Sequence, residues 1–183
     1  MPTGREEVWR FTPVRRFKTL LTDAPSDACL TWDEHYPEGV TSRVLTPEEA
    51  RGYAAEAPID RVAALAAANS GGAQLVEVAA GVELAEPIRI TLRGEGQHVW
   101  GQLVFRVGAH ASATIVLRYE GTASYAEKVD VVVGDGAHVN LITIQEWDEG
   151  TVHGGQRSIQ VGRDATVKAV TVSFGGDIRL QED

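Results

Sequence analysis

The sequence predicts a mainly β protein: a right-handed parallel β-helix, incomplete at its C-terminal end, preceded by a small α-helical N-terminal segment. The chief observation is a threefold repeat within residues 103–172. Each copy contains Val-Gly-x-x-Ala, and the repeat spacing of 26 to 28 residues is typical of solenoids and repeat arrays. The aligned valines, glycines and alanines are Val107, Val133, Val161, Gly108, Gly134, Gly162, Ala111, Ala137 and Ala165.

A second observation is that apolar columns alternate with mostly polar columns, which is the pattern of a strand with one buried face. We interpret the glycine as a corner between two strands, where a residue without Cβ adopts a positive φ at low cost, and the alanine as the tight inside of that corner. Each copy is then one coil that buries its inner face against the next coil. A twisted β-sandwich with chance similarity between its hairpins is the alternative. Two further columns are apolar in every copy: Phe105, Val131 and Ile159, and Ala113, Val139 and Val167.

One aligned column departs from this alternation. Val116, Ile142 and Val170 are apolar, although strand parity places them on the outer face. Either a bulge shifts the register by one residue, or the solenoid carries an apolar outer stripe that other parts of the chain or a partner cover. These three residues form the candidate outer-face contact stripe.

The chain divides into residues 1–72, an N-terminal arm with short helices, and residues 73–183, the coils. Thr46 begins a helix by its N-cap hydroxyl, a following proline and two acids, and we expect that helix to end near Ala57. A second helix begins around Asp60 and runs to a pair of glycines.

The two ends of the predicted solenoid differ. The N-terminal helices could cap the first coil, whereas no capping segment is visible after the last repeat. An uncapped coil exposes strand edges and core. We therefore expect the chain to be the first part of a longer β-helix, with self-association through the open end as one possibility.

Composition excludes several classes of protein. Lys and Arg number 17 against 26 Asp and Glu, a net charge of −9, which argues against a nucleic-acid or anionic-membrane partner. No apolar run approaches the roughly 20 residues of a spanning helix. The N-terminus lacks the apolar core of a signal peptide, and the one cysteine, Cys29, supports no disulfide framework. A cytoplasmic location is the simplest interpretation.

Residues that carry chemistry are sparse. No lysine follows a glycine, so there is no P-loop, and one cysteine cannot by itself hold an iron–sulfur cluster. The five histidines form no pair with metal-ligand spacing, and we expect them at the surface or at corners. A β-helix glycosidase or lyase needs clustered carboxylates, but Asp130, Glu146 and Asp148 share no column. The sequence therefore predicts no catalytic, cofactor-binding or metal-binding residue.

The residues together resemble a known family. Residues 4–13, Gly-Arg-Glu-Glu-Val-Trp-Arg-Phe-Thr-Pro, are similar to the opening of the SufD family of the SUF iron–sulfur cluster assembly system, in which a glycine precedes E-x-W-(R/K)-(Y/F)-T. Residues 69–88 are similar to the segment that leads into the β-helix core of that family. The Val-Gly-x-x-Ala coils are similar to the middle of the same core. The resemblance covers essentially the whole chain.

The resemblance implies a non-catalytic scaffold subunit of a SufBCD complex. Its partners would be SufB-like and SufC-like subunits, with ATPase activity in the SufC-like partner. An iron–sulfur cluster and reduced flavin are implied for the whole complex and for no residue of this portion. The family's ATPase-contacting helices and its functional cysteine and histidine lie beyond the matched part, so no site residue carries over. The alternatives are a carbohydrate-active or carbohydrate-binding β-helix module and an unrelated structural interaction domain.

Overall fold

The computed structural model describes residue 2 and residues 6–182. It is mostly β, with a β-solenoid of about four turns and few helices, so the predicted β-helix is confirmed. The α-helices are α1 (Pro47–Tyr53) and α2 (Arg61–Asn69), and 3₁₀ helices span Glu7–Trp9 and Val14–Leu21. The strands of the described residues are β1 (Thr31–His35), β2 (Val40–Leu45), β3 (Ala73–Val78), β4 (Ile88–Val107), β5 (Ser112–Val133), β6 (His138–Trp147), β7 (Val152–Val161), β8 (Thr166–Ser173) and β9 (Asp177–Glu182).

Each coil contains two strand segments that stack in parallel on the corresponding segments of the next coil. β4 and β5 each run through both segments of one coil and pair along nearly their whole length. Later coils divide the segments between two strands, so that β6 and then β8 continue the first half of β5. β7 and then β9 continue its second half.

The strand register agrees with the columns predicted from the sequence. Phe105 pairs with Val131, and Val131 pairs with Ile159. Ala113 lies beside Val139, which in turn lies beside Val167. Burial of these columns forms the main apolar core between the two faces of the solenoid, as stacking of similar coils requires.

The structure corrects the interpretation of the repeated glycines. Gly108, Gly134 and Gly162 do not have a positive φ; that conformation falls two residues later in each copy, for example at His110 with a φ of 58°. A Cβ at any of the three glycines would instead lie 2.5 to 2.7 Å from a backbone nitrogen of the preceding coil. The glycines are therefore required by close approach between coils. Their paired alanines fit the expectation in the first two copies, where Ala111 and Ala137 are buried.

Strands, and not helices, cover the first coil. β2 pairs antiparallel with β3, and β1 pairs antiparallel with the first half of β4. α2 packs across the outer side of β4, β5 and β7 instead. Strands can continue the hydrogen-bond ladder of a sheet edge, which a helix cannot do.

Both predicted α-helices are present, but the first is shorter than expected. Thr46 and Glu49 form a reciprocal capping box at the start of α1, and the Asp60 carboxylate accepts from Ala63 N at the start of α2. α1 ends at Tyr53 because the next residues leave the helix to bind the sheet, where Ala55 N donates to the Asp130 carboxylate at 2.9 Å.

The N-terminal arm docks on the body through two of its aromatic residues. Trp9 and Phe17 are buried on the body, whereas Phe11 is 91% exposed. Gly4 and Arg5 of the predicted N-terminal motif lie outside the described residues. Within the described part of the chain, no helix has the length and apolar character needed to cross a membrane.

Candidate functional site

The predicted stripe forms a continuous row on the outer face of the first strand segments. Val116 pairs with Ile142, and Ile142 pairs with Val170, without a break in register along β5, β6 and β8. The bulge considered from the sequence is therefore not present in this row. Val116 and Ile142 are half-buried, and Val170 is 54% exposed.

A second partly apolar row widens the stripe. Ile144 pairs with Val172, two positions along the same strands, and Val172 is 39% exposed. The corresponding residue of β5 is Arg118, which is paired with Glu146. The outer face of the last coils thus presents aliphatic side chains beside a charged edge, a composition typical of protein contact surfaces.

A polar network occupies the interior of the solenoid, where an apolar core is the rule. Its centre is the carboxylate of Glu127, which is 1% exposed and projects inward from the second half of β5. The Tyr119 hydroxyl, from the first half of the same strand, donates to Glu127 Oε2 at 2.7 Å. The buried Tyr125 stacks near Tyr119, with ring centroids 6.1 Å apart.

His153 joins this network from the next coil. Its side chain is fully buried, and its Nε2 lies 3.1 Å from Glu127 Oε1, although the N–H direction is not aligned well enough for a regular hydrogen bond. Trp147 Nε1, which can only donate, lies 3.0 Å from His153 Nδ1. We therefore assign Nδ1 as an acceptor and place the proton on Nε2, facing the carboxylate.

Arg157 extends the network toward the last coil. It is 1% exposed, and its guanidinium donates to Thr143 Oγ1 at 2.8 Å and to the Glu182 carboxylate at 2.9 Å. A further hydrogen bond reaches Thr171 Oγ1 at 3.2 Å. The two terminal nitrogens of the guanidinium are thus matched by a carboxylate and two hydroxyl groups, whereas the buried Arg157 Nε has no hydrogen-bond partner among the described residues.

The electrostatics of the network keep Glu127 ionised. Burial by itself raises the pKa of the Glu127 carboxyl, but the His153 ring, the Tyr119 hydroxyl and the Arg157 guanidinium together hold it below its ordinary value of 4.5. Burial and the neighbouring Glu127 charge raise the pKa values of Tyr119 and Tyr125 well above 10.0. Both phenols therefore remain protonated donors at neutral pH.

The sequence analysis missed this network. His153 was expected at the surface or at a corner, and that expectation was wrong. Extending the alternation backward from Phe105 would have placed Val99, Tyr125 and His153 in one inward column, as they lie in the structure. The signal was available, but the inward positions between these residues and the apolar column include Gly101, Glu127 and Arg157, which interrupt the apolar alternation in the sequence.

The acids considered for a carbohydrate-active site do not converge. Asp130 is fully buried beneath residues 54–59 and accepts from Lys128 Nζ at 2.5 and 2.6 Å. Glu146 lies on the outer stripe face beside Arg118. Cys29 is exposed, and no group of three or more potential metal ligands occurs among residue 2 and residues 6–182.

Comparison with known proteins identifies related chains. The family model described as SUF system FeS cluster assembly, SufBD core domain, matches residues 90–182, just over half of this chain. A SufBD family iron–sulfur cluster assembly protein of Mycobacterium tuberculosis is 35% identical over 183 residues, covering 97% of this chain and 46% of that protein. One of Mycobacterium leprae is 31% identical over 181 residues, with the same shares covered.

The chain spans about half the length of the curated relatives it matches. The family match begins within β4 and ends within β9, so it falls on the stacked coils that carry both the outer stripe and the interior network. By the match across these coils, the chain belongs to the SufBD core domain family of the SUF iron–sulfur cluster assembly system.

Proposed function

We propose that this protein acts as a SufD-type scaffold subunit in a cytoplasmic SufBCD complex, where it supports iron–sulfur cluster assembly and transfer through protein contacts. In this proposal its partners are a SufB-like subunit and a SufC-like ATPase. The cluster is cargo of the assembled complex, and reduced flavin is a cofactor of the complex as a whole.

The outer stripe carries the proposal. Val116, Ile142 and Val170 form an aliphatic row across three coils, and Val170 is the most exposed of the three. Solvent-facing aliphatic rows on a regular solenoid are suited to contact with another protein surface. Family membership favours subunits of the SUF system as the proteins that make this contact.

A non-catalytic role is supported by how the ionisable groups are used. Asp130 is held by Lys128 and by Ala55 N, and Glu127 is enclosed by Tyr119 and His153. These carboxylates are occupied by structural contacts and are closed to solvent. We therefore assign ATP hydrolysis to the SufC-like partner and no chemical step to this chain.

Co-purification tests the proposal. The full-length product of the gene, carrying an affinity tag, would be expressed with the SufB-like and SufC-like proteins of the same source, and the mass of the eluted species measured by light scattering. A complex containing all three proteins is the expected result. A tagged protein that elutes alone or only with copies of itself would contradict the proposal, and binding to glycans would then favour the carbohydrate-binding alternative.

A further inference from the structure

A cavity of about 450 Å³ lies between the two α-helices and the outer face of β4 and β5. Its volume falls within the range of small-molecule sites. One wall is apolar, and the opposite floor carries polar side chains from two neighbouring strands. The residues that matter for the argument are Ala64, Ala67 and Ala68 on α2, Gln102 and Lys128 on the floor, and Arg51 on α1.

The floor contains an amide without a partner. Gln102, Lys128 and Gln156 form one column across three strands. The Gln156 amide is bonded to Ile59 N and Ala57 O at 2.8 and 3.1 Å. Gln102 is only 8% exposed, yet its side-chain amide makes no hydrogen bond to any described residue. The Gln102 amide lines the cavity and is not sealed from solvent, so a polar ligand can replace water as its hydrogen-bond partner.

The charges at the cavity favour an anion with a single negative charge. Lys128 Nζ, 1% exposed, uses two of its three donors on Asp130, which balances its charge and leaves one donor free. The exposed Arg51 makes no ion pair with a described residue, and so supplies one uncompensated positive charge. A guanidinium presents two parallel donors that match the two oxygens of a carboxylate.

We propose that this cavity binds a small organic monocarboxylate with an apolar body. Its carboxylate lies between the Arg51 guanidinium and the amide of Gln102. Its apolar part lies against the alanine face of α2. This site is separate from the outer stripe and does not depend on the scaffold role.

The test uses sodium octanoate as the probe, titrated into the ¹⁵N-labelled protein while the side-chain amide signal of Gln102 and the backbone amide signals of Ala67 and Ala68 are followed by NMR. The backbone signals report binding to Gln102→Leu, which lacks the side-chain signal. Octan-1-ol matches its apolar body without the charge, acetate matches its charge without the body, and inorganic phosphate provides a different anion. Arg51→Ala and Gln102→Leu remove one polar contact each. Arg89→Ala, which removes an exposed arginine on another face of β4, is the matched control.

The expected result is saturable octanoate binding that shifts the Gln102 signal, with the other three compounds at least about tenfold weaker. Loss of one charge-assisted or amide contact should weaken octanoate binding by about tenfold in both cavity variants and leave the Arg89→Ala protein unchanged. Gln102→Leu should melt close to the wild-type temperature, because the amide that it removes makes no hydrogen bond to a described residue.

Three results would overturn the proposal. Octanoate affinity that is unchanged in Arg51→Ala and Gln102→Leu would show that neither group binds the carboxylate. Equal binding of octan-1-ol would show that the cavity selects only apolar bulk. Octanoate shifts confined to the outer stripe would show binding to exposed aliphatic surface elsewhere.

Discussion

His153 Nε2 and Glu127 Oε1 lie 3.1 Å apart inside the solenoid, and both side chains are shielded from solvent. Glu127 belongs to β5, whereas His153 belongs to β7, the strand stacked on it in the next coil. Their contact therefore joins two successive coils through the core. Apolar packing is adaptable, but a buried carboxylate needs its polar partners in one arrangement, so this contact sets how the two coils lie on each other.

Glu127→Gln should destabilise the fold while preserving its shape. The amide presents one acceptor where the carboxylate presents two, so a buried donor of Tyr119 or His153 loses its partner. We expect the free energy of unfolding to fall by about 2–4 kcal/mol, measured by urea denaturation. Glu149→Gln, at an exposed turn, should change it by less than about 0.5 kcal/mol. Equal stability of the two variants would contradict the assignment of a charged Glu127.

The same carboxylate should make stability depend on pH on the acid side. The pKa of Glu127 in the folded protein is below its ordinary value of 4.5, so the unfolded chain binds this proton first as the pH falls. The stabilisation is complete above about pH 5 and is lost as the pH falls through 4.5 toward the folded pKa. The stability difference between the wild type and Glu127→Gln should therefore shrink on acidification. A difference that stays constant from pH 7 to the acid limit would refute this explanation.

Gly134→Ala tests the close approach between coils. A Cβ at this position would lie 2.6 Å from Ala109 N, so the two coils must separate. We expect a loss of at least about 2 kcal/mol in the free energy of unfolding. Gly52→Ala, in α1, meets no atom within 4 Å and should be neutral or stabilising by up to about 1 kcal/mol. A stable Gly134→Ala protein would mean that the corner has room to relax.

Arg179→Lys tests how the N-terminal arm is held. The Arg179 guanidinium carbon lies 3.9 Å from the Trp9 ring centroid, and its nitrogens donate to Asp60 Oδ2 at 2.5 Å and Val8 O at 2.6 Å. Lysine keeps the charge but loses the planar stacking and the second donor direction. We expect this change to lower the local stability of the arm by about 1.4 kcal/mol. Limited proteolysis should therefore cleave the arm about tenfold faster than in the wild type.

The matched control for the arm is Arg16→Lys, because Arg16 pairs with Asp177 at the surface and its side chain is 64% exposed. Exposed ion pairs contribute little to stability, so cleavage of the control should match the wild type. Equal cleavage of the Arg179 and Arg16 variants would show that other contacts hold the arm.

Val170→Lys tests the outer stripe as a subunit contact. Val170 is 54% exposed, so a lysine should change the free energy of unfolding by less than about 0.5 kcal/mol. If the stripe is buried against a SufB-like subunit, the desolvated charge should weaken that complex at least about tenfold, measured by titration calorimetry. Gln160→Lys adds the same side chain to an exposed outer position of β7. Equal affinity of the two variants would exclude Val170 from the interface.

The strand register shows how much of the fold was accessible from the sequence. Parallel stacking places equivalent positions of successive repeats beside one another. Aligning the repeats in the sequence was therefore sufficient to predict that Phe105, Val131 and Ile159 are neighbours, as they are in the structure. The outer position of Val116, Ile142 and Val170 followed from the same parity. Local capping rules likewise predicted the starts of both α-helices.

Contacts between segments distant in the chain were not accessible in this way. The need for glycine at position 134 arises from the backbone of the coil before it, and α1 ends early because Asp130, 75 residues away, accepts from Ala55 N. Neither contact leaves a periodic pattern. The sequence did not predict that β1 and β2 cover the first coil for the same reason, since the pairing of a strand with a sheet edge depends on the path of the chain in three dimensions.

The sequence by itself determined the repeat, the coil register and which strand face is buried, because these follow from the spacing of residues along the chain. Only the tertiary structure decided what the polar residues of the buried face contact. Tyr119 and Glu127 meet across the interior because the chain turns between the two segments of β5, and His153 meets Glu127 because the next coil is stacked above. A buried carboxylate is stable in the core only when all its partners arrive together, and that condition is met by three-dimensional packing.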